Sequence, residues 1–208
     1  VFGIAIGVMA LIVVLSVMNG FEEDIKTKIL GTQSHLVIST FQGGIPQPGE
    51  IERKIMQDPQ VIGATPFILS QGLISAPGGV SGVVIRGIEP GSASRVIRLK
   101  EIIIEGSFDN LNETGILLGS ELALRSGVSV GDAVNLISPT GSITPLGMIP
   151  KSRSFVVRGI FSTGMYEYDN NMVYISLEAA KSLFMKDSPS GIEVKVAEGV
   201  APRTGAWI

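Results

Sequence analysis

The sequence predicts an α+β fold: a membrane-spanning helix at the N-terminus, followed by a domain of mixed helices and strands. The first observation is residues 1–21, VFGIAIGVMALIVVLSVMNGF, which contain no charged side chain. About 20 apolar residues are needed to cross the hydrocarbon core of a bilayer as a helix. The second observation is the remainder of the chain, where short alternating segments typical of strands are interleaved with short segments of helical periodicity.

The apolar segment has two alternative interpretations, a signal sequence and a buried helix. No basic residue precedes it, and residues 16–20 (SVMNG) form a poor cleavage site for a signal peptidase. A transmembrane helix is therefore favoured. Gly3 and Gly7 form a G-x-x-x-G pair, which allows a second helix to approach closely in lipid. The acidic residues 22–24 directly after the span disfavour a cytoplasmic location for the domain that follows.

Beyond the span, the helix is predicted to continue into water. Phe21, Ile25 and Ile29 recur at helical spacing, so residues 22–31 are expected to form an amphipathic stalk. Gly31 is a suitable residue to end it.

The remaining elements are predicted from apolar periodicity and from turn residues. Strands are expected at residues 35–39, 61–76, 80–88, 130–138, 154–162, 172–175 and 192–197. Helices are expected at residues 50–58, 119–126 and 177–185, the second capped by Ser120 and the third by Ser176. The core-facing residues of the first helix are expected to be Ile51, Ile55 and Met56. Those of the third are Leu177, Ala180, Leu183 and Phe184.

Composition and motifs disfavour nucleic-acid binding and catalysis. The net charge of −3, without a lysine or arginine cluster, argues against nucleic acid as a partner. The absence of cysteine fits an extracytoplasmic bacterial compartment. Residues 127–131 match the G-x-S-x-G nucleophile motif, but a helix precedes it and a strand follows, the reverse of the required order. With His35 as the single histidine, neither a catalytic triad in that order nor a metal site has a plausible set of residues.

One segment is unusual for a solvated loop. Residues 139–153, between two strands expected to pair, are longer than an ordinary hairpin turn and contain no acidic residue. Prolines at 139, 145 and 150 stiffen the segment and lower the entropy lost on docking. Its apolar side chains are Ile143, Leu146, Met148 and Ile149. Two basic residues, Lys151 and Arg153, lie at its C-terminal end and could face an acidic surface. The segment is predicted to be a protein-binding arm; the alternative is that it folds back onto its own core.

Several ordered motifs resemble one known family. Residues 16–21 (SVMNGF) lead into residues 29–31 (ILG) and a strand that begins with a histidine. Residues 144–150 (TPLGMIP), 155–161 (FVVRGIF) and 171–180 (NMVYISLEAA) follow in the same order as in that family. The sequence resembles the permease subunits of lipoprotein-releasing ABC transporters, LolC and LolE, along most of its length.

The resemblance implies a MacB-type periplasmic domain after the transmembrane helix. Such a domain has a split β-α-β lobe, called Porter, and an inserted β-rich lobe, called Sabre. The transmembrane helix is expected at 1–21 and the stalk at 22–31. The Porter lobe is expected in two parts, at 32–75 and, truncated, at 189–208. The Sabre lobe is expected between them at 76–188, with a hook hairpin at 139–153.

The resemblance also implies that the hairpin is a hook for a periplasmic lipoprotein chaperone of the LolA type. The hook residues are Thr144, Pro145, Leu146, Gly147, Met148, Ile149 and Pro150, with Pro145 at the apex. A basic pad beside the hook is expected at Lys151 and Arg153. Asn135 and Ser152 stand where the family's pad has arginine and glutamine, so the contact is expected to be weaker or differently tuned.

The implied function is that of a non-catalytic permease subunit that extracts lipoproteins from the bacterial inner membrane and hands them to the chaperone. The expected partners are a cytoplasmic LolD-like ATPase, which binds the ATP in place of this chain, a second permease subunit, the LolA-like chaperone, the lipoprotein cargo and the membrane. Residues after about 21 are expected in the periplasm. The alternatives are a MacB-like efflux subunit and an FtsX-like regulator of a cell-wall hydrolase. A membrane-anchored enzyme is disfavoured because no active site is evident.

Overall fold

The computed structural model describes residues 2–32, 34, 36–40, 44–144 and 147–197; for residues 22–32, 140, 142–144 and 147–149 it describes the backbone alone. The helices of this part are α1 (Phe2–Thr32), α2 (Pro48–Ile55), α3 (Pro90–Val96), α4 (Ser120–Ser126), α5 (Tyr166–Asn171) and α6 (Leu177–Phe184). The strands are β1 (Leu36–Ser39), β2 (Val61–Ala76), β3 (Gly79–Ile88), β4 (Ile103–Gly106), β5 (Gly115–Gly119), β6 (Ala133–Thr144), β7 (Gly147–Phe161), β8 (Met172–Ser176) and β9 (Gly191–Val196).

Helix α1 is long and apolar enough to cross a membrane. The candidate span, Phe2–Phe21, has a mean hydropathy of 2.4, and none of it is buried against the rest of the described chain. A helix belonging to a soluble core would be covered by other elements, so this exposure disfavours the buried-helix alternative. The helix continues without a break to Thr32, through the residues predicted to form the stalk. The predicted α+β class with an apolar N-terminal helix is confirmed.

Six strands form a closed ring in the order β2, β3, β8, β5, β7, β6 and back to β2. The pairs β3–β8 and β5–β7 are parallel, and the other pairs are antiparallel. The ring closes where residues 73–75 of β2 pair with residues 135–137 of β6. A closed sheet has no open edge along its wall, so the ring forms a small barrel.

The interior of this barrel holds the larger part of the hydrophobic core. Alternate residues of each strand point to the same face, and most of the inward-facing apolar residues are buried. Its members include Ile85 of β3, Leu118 of β5, Leu136 of β6, Phe155 of β7 and Ile175 of β8. At the opposite end from α6, helix α4 adds Leu122 and Ala123 to the same cluster.

Helix α6 closes the end of the barrel at which β8 finishes. It packs against β2, β3, β6, β7 and β8. The hydroxyl of Ser176 accepts a hydrogen bond of 3.2 Å from the Ala179 N–H, which confirms the predicted N-cap. The predicted apolar face is buried, namely Leu177, Ala180, Leu183 and Phe184. A Cβ on Gly87 of β3 would collide with the Ala180 methyl group, so glycine is required for this close approach.

A smaller layer is formed by β1, β9 and the first half of β2, with α2 on one face. Ile51 and Ile55 of α2 pack partly buried against its core, as predicted. The expectation for Met56 is wrong: it is the C-cap residue of α2, and its side chain is 39% exposed. Strand β2 passes through both layers, because it pairs with β9 up to Phe67 and with β3 from Phe67 onward. The lobe boundaries at residues 75 and 188 stay a prediction. The change of β2 pairing at Phe67 lies within residues 32–75, the range expected for the first part of the Porter lobe.

Several elements were not predicted or begin elsewhere than expected. Strand β5 carries no alternating pattern because both of its faces are buried. Ile116 faces the barrel interior, and Leu117 belongs to a second cluster beneath α3. Helix α3 and strand β4 follow β3, in a stretch whose apolar residues show no clear periodicity and for which no element was predicted. The strand predicted from residue 130 begins at Ala133, and Ser120 is the first residue of α4 with Gly119 as the N-cap.

A buried ion pair joins the barrel to the smaller layer. Arg86 of β3 and Glu193 of β9 are 7% and 4% exposed, and the guanidinium donates a hydrogen bond to the carboxylate. The guanidinium also lies 5.6 Å from the ring centroid of Phe67 and 5.9 Å from that of Tyr174. Burial raises the pKa of Tyr174, which keeps its hydroxyl neutral beside the arginine. We infer that this pair fixes the position of β9 relative to β3.

Removing one partner of this pair should destabilise the protein. Glu193→Leu leaves the Arg86 charge buried without compensation, so the free energy of unfolding should fall by about 3 kcal/mol or more. Denaturant titration of the detergent-solubilised protein measures the change. The double variant Arg86→Met with Glu193→Leu is the control and should recover part of the loss, because no unpaired charge remains. A single-variant loss below about 1 kcal/mol would contradict the role of the pair.

Candidate functional site

Strands β6 and β7 extend beyond the barrel as a two-stranded ribbon. Pairing with β2 ends at Ile137 on β6, and pairing with β5 begins at Val156 on β7. Past these points the two strands pair with each other alone, up to Thr144 opposite Gly147. The described residues of the segment 139–153, which the sequence suggested as a loop, therefore lie in or between paired strand residues. Residues 147–151 alone span about 15 Å at the usual rise per residue.

The ribbon contains an irregularity where it leaves the barrel. Ser138 pairs with Lys151 and Ser142 pairs with Ile149, so β6 holds extra residues at this point. Pro139 lies in the interval, and proline cannot donate a backbone hydrogen bond to a ladder. Bulges of this kind bend and twist a ribbon. The bulge therefore determines the direction in which the ribbon leaves the barrel.

The described hook residues lie on this ribbon, from its last described pair to its base. Thr144 and Gly147 form the last described pair, and Met148 pairs with Ile143 one step nearer the barrel. Pro150 is exposed at the base. Pro145 and Leu146, including the predicted apex, lie outside the described residues.

The predicted basic pad lies on β7 at the mouth of the barrel. Lys151 and Arg153 are two residues apart and therefore share one face of the strand with Phe155, which enters the core. The Lys151 ammonium donates a hydrogen bond of 2.6 Å to the carbonyl oxygen of Ser182. Ser182 lies in the last turn of α6, where unpaired carbonyl groups and the helix dipole favour a cation.

Arg153 has two neighbours of its own. Its guanidinium lies 3.8 Å from a carboxylate oxygen of Glu113 and 5.5 Å from the ring centroid of Phe155. Glu113 is largely exposed, so the ion pair contributes little to stability and the arginine can exchange partners at low cost. Neither Glu113 nor Ser182 was identified from the sequence, because each comes from an element distant in the chain and no motif links it to the hairpin.

The structure gives the G-x-S-x-G match a structural role. Helix α4 ends at Ser126, Gly127 has a positive φ of 64°, and β6 begins at Ala133, so the order is helix, turn, strand. The Ser129 N–H donates a 2.8 Å hydrogen bond to the Asp132 carboxylate, which stabilises the turn. Among the described residues, no group of three or more histidine, cysteine, aspartate or glutamate side chains is placed to hold a metal ion. His35 lies outside the described residues.

The two glycines of the G-x-x-x-G pair lie on the exposed part of α1. No atom of the described chain lies within 4 Å of a Cβ built on Gly3 or Gly7. This face of the helix is therefore open to another helix, and its partner stays a prediction.

Comparison with known proteins identifies the family. The profile of the MacB-like periplasmic core domain matches residues 1–205. A lipoprotein-releasing system transmembrane protein LolC from Neisseria meningitidis serogroup B is 35% identical over 199 residues, which cover 94% of this chain and 48% of that protein. A LolC from Xylella fastidiosa is 33% identical over 94% of this chain and 48% of its own length, and a LolE from Haemophilus influenzae is 26% identical over 97% and 50%. The chain therefore spans about half the length of these relatives. They confirm the resemblance seen in the motifs.

Two solved structures share the fold. The periplasmic region of MacB from Actinobacillus actinomycetemcomitans has a TM-score of 0.55 at 13% identity, covering 85% of this chain and 80% of that one. The extracellular domain of the ABC-type transporter YknZ from Gram-positive bacteria has a TM-score of 0.51 at 12% identity, covering 79% and 85%. At this level of identity the likeness concerns the fold alone.

The ribbon should be dispensable for folding. No residue of the three hydrophobic clusters comes from the described part of β6 after Leu136 or of β7 before Phe155. Replacing residues 142–149 by Asn-Gly, which favours a tight hairpin turn, should change the free energy of unfolding by less than about 1 kcal/mol. Denaturant titration against the unaltered protein measures it. A loss above about 3 kcal/mol would indicate that the hook residues fold onto the domain's own core.

Proposed function

The chain belongs to the family of the MacB-like periplasmic core domain, and on this premise we propose that it is part of a non-catalytic permease subunit of a lipoprotein-releasing ABC transporter. The relatives that carry this function in their names match nearly the whole chain. The structural likeness to MacB rests on 13% identity and supports the fold alone, so lipoprotein release is favoured over efflux. A function like that of FtsX would give the projecting ribbon no evident use.

The ribbon is the observation that carries the proposal. Its outer strands have no pairing partner other than each other in the described chain, and its sequence combines proline with leucine, methionine and isoleucine. A ribbon stiffened in this way loses little conformational entropy when it docks, and burial of its apolar side chains against a partner contributes favourable free energy. We assign it the role of a hook, residues 144–150, that holds a periplasmic lipoprotein carrier of the LolA type.

The basic pad supports the same assignment. Lys151 and Arg153 lie on one face at the base of the hook, and the pairing of Arg153 with Glu113 is weak enough to be exchanged for an acidic group on the carrier. Charges at the rim of an interface mainly raise the rate of association and fix its orientation. The pad would therefore guide the carrier, and the hook would retain it.

The proposed function also assigns roles to helix α1 and to the other transporter subunits. Helix α1 crosses the inner membrane and places the barrel in the periplasm, and the open face at Gly3 and Gly7 receives another transmembrane helix, such as one of a second permease subunit. A cytoplasmic ATPase subunit binds the ATP. Because α1 is one uninterrupted helix from Phe2 to Thr32, tilting of its membrane portion by that ATPase would move the periplasmic part.

Capture of the carrier tests the proposal. The permease whose residues 142–149 are replaced by Asn-Gly should retain less than about a tenth of the carrier held by the unaltered protein, because the apolar contact is lost. The assay is affinity capture of purified carrier on the full permease in detergent. The matched control replaces Val80, an exposed apolar residue on the barrel, by Ser and should bind normally.

A second variant separates the pad from the hook. Lys151→Gln with Arg153→Gln keeps the ribbon, so capture should fall less than in the truncated protein and should lose most of its dependence on salt. Equal capture by the truncated and unaltered proteins would disprove the hook. A salt dependence unchanged by the double variant would disprove the pad.

A further inference from the structure

An open groove of about 780 Å³ runs across the outside of the barrel to the base of the ribbon. It crosses four neighbouring strands: Val84 lies on β3, Leu73 on β2, Ile137 on β6 and Pro150 on β7, with Pro139 beside Pro150. Leu73 is 44% exposed although it lies in a strand wall. Gln71 and Asn171 supply the polar side chains of the lining, and none of the described lining residues is charged.

The groove is deepened by a glycine. Gly82 of β3 stands opposite Leu73 of β2, and no atom of the described chain lies within 4 Å of a Cβ built there. The missing side chain leaves a furrow open to solvent. Its backbone has no positive φ, so glycine is not required there by the chain conformation.

Two residues in the wall of the groove have no free edge for pairing with an added strand. Val84 is paired with Gln71 on one side and Met172 on the other, and Leu73 is paired with Gly82 and Ile137. A peptide strand could not be added beside these two residues, so an occupant that lies over them must be held by its apolar surface.

The chemistry of the lining favours an aliphatic occupant. Protein-binding surfaces are enriched in aromatic residues, methionine and arginine, and tryptophan, tyrosine and arginine supply most of the affinity. The groove has none of them among its described lining residues and offers leucine, isoleucine, valine and proline side chains instead. We propose that this groove binds one acyl chain of a lipoprotein while the carrier is held on the ribbon. The inference rests on the proposed function, since it names the part of the cargo that this surface takes.

The position of the groove supports a handover. Pro139 and Pro150, which line one end, are also the residues at which the ribbon leaves the barrel. A chain lying in the groove would therefore reach the base of the hook, next to the carrier. The described lining residues are uncharged, so none of them presents an ionic group that must be desolvated as the chain enters or leaves.

Photocrosslinking of a labelled acyl chain tests the inference. The full transporter is reconstituted in nanodiscs with the carrier, and the probe is a lipopeptide whose palmitoyl chain carries a terminal diazirine. Crosslinked residues are identified by mass spectrometry, and carrier capture is measured on the same sample. We expect crosslinks on the barrel to concentrate at Leu73, Val84 and Ile137.

Two glycine variants provide the comparison. Gly82→Val fills the furrow and should lower crosslinking in the groove about tenfold, because the acyl chain loses the burial of about two methylene groups. Carrier capture should be unchanged. Gly91→Val is the matched control, because a Cβ built on Gly91 also has no non-local described atom within 4 Å and Gly91 is not among the described residues of the groove. It should change neither readout.

The outcomes separate the two proposals. If the unaltered protein does not capture the carrier, the proposed function fails. If capture is normal but crosslinks do not concentrate in the groove, or Gly82→Val leaves them unchanged, the acyl-chain inference fails alone. If Gly82→Val lowers carrier capture and leaves crosslinking intact, the groove is a protein contact and the inference is overturned.

Discussion

The structure depends on the closure of the barrel by the short seam between β2 and β6. Only residues 73–75 and 135–137 form this seam, yet it completes the ring that encloses the main hydrophobic cluster. It also fixes β6 at the point where the strand leaves the wall. The ribbon, the basic pad and the outer groove all lie next to the seam, so their relative positions follow from the same few backbone hydrogen bonds.

The smaller layer is attached to the barrel in two ways. Strand β2 is covalently continuous between them, and the Arg86–Glu193 pair bridges β3 and β9. A continuous strand transmits displacement, and a buried ion pair is stable in one arrangement and costly to separate. We therefore expect the smaller layer, the barrel and the base of the ribbon to move as one unit.

Local pattern was sufficient for a long segment without charge and for a helix with one buried and one exposed face. The apolar helix α1, the buried face of α6 and its Ser176 cap follow directly from charge and spacing. Strand β5 was not predicted because both faces are buried. Met56 was misplaced because α2 ends at Ile55, before the predicted end at residue 58. The closed ring and the groove could not be predicted, because Leu73, Val84 and Ile137 are brought together by pairings that no local spacing encodes. The hairpin was recognised through its composition and its family motif, whereas the partners of its pad depend on the tertiary fold.

Hydrogen exchange of the full-length protein in the proposed transporter tests our central proposal, that a closed barrel presents a separately paired ribbon to a carrier. Amides at 135–137 and 155–157, inside the ring, should exchange through global opening alone. Amides at 142–144 and 147–149 should exchange much faster in the free protein and slow by about tenfold or more when saturating carrier is added. Ribbon amides as protected as the barrel without carrier, or unaffected by it, would contradict the account.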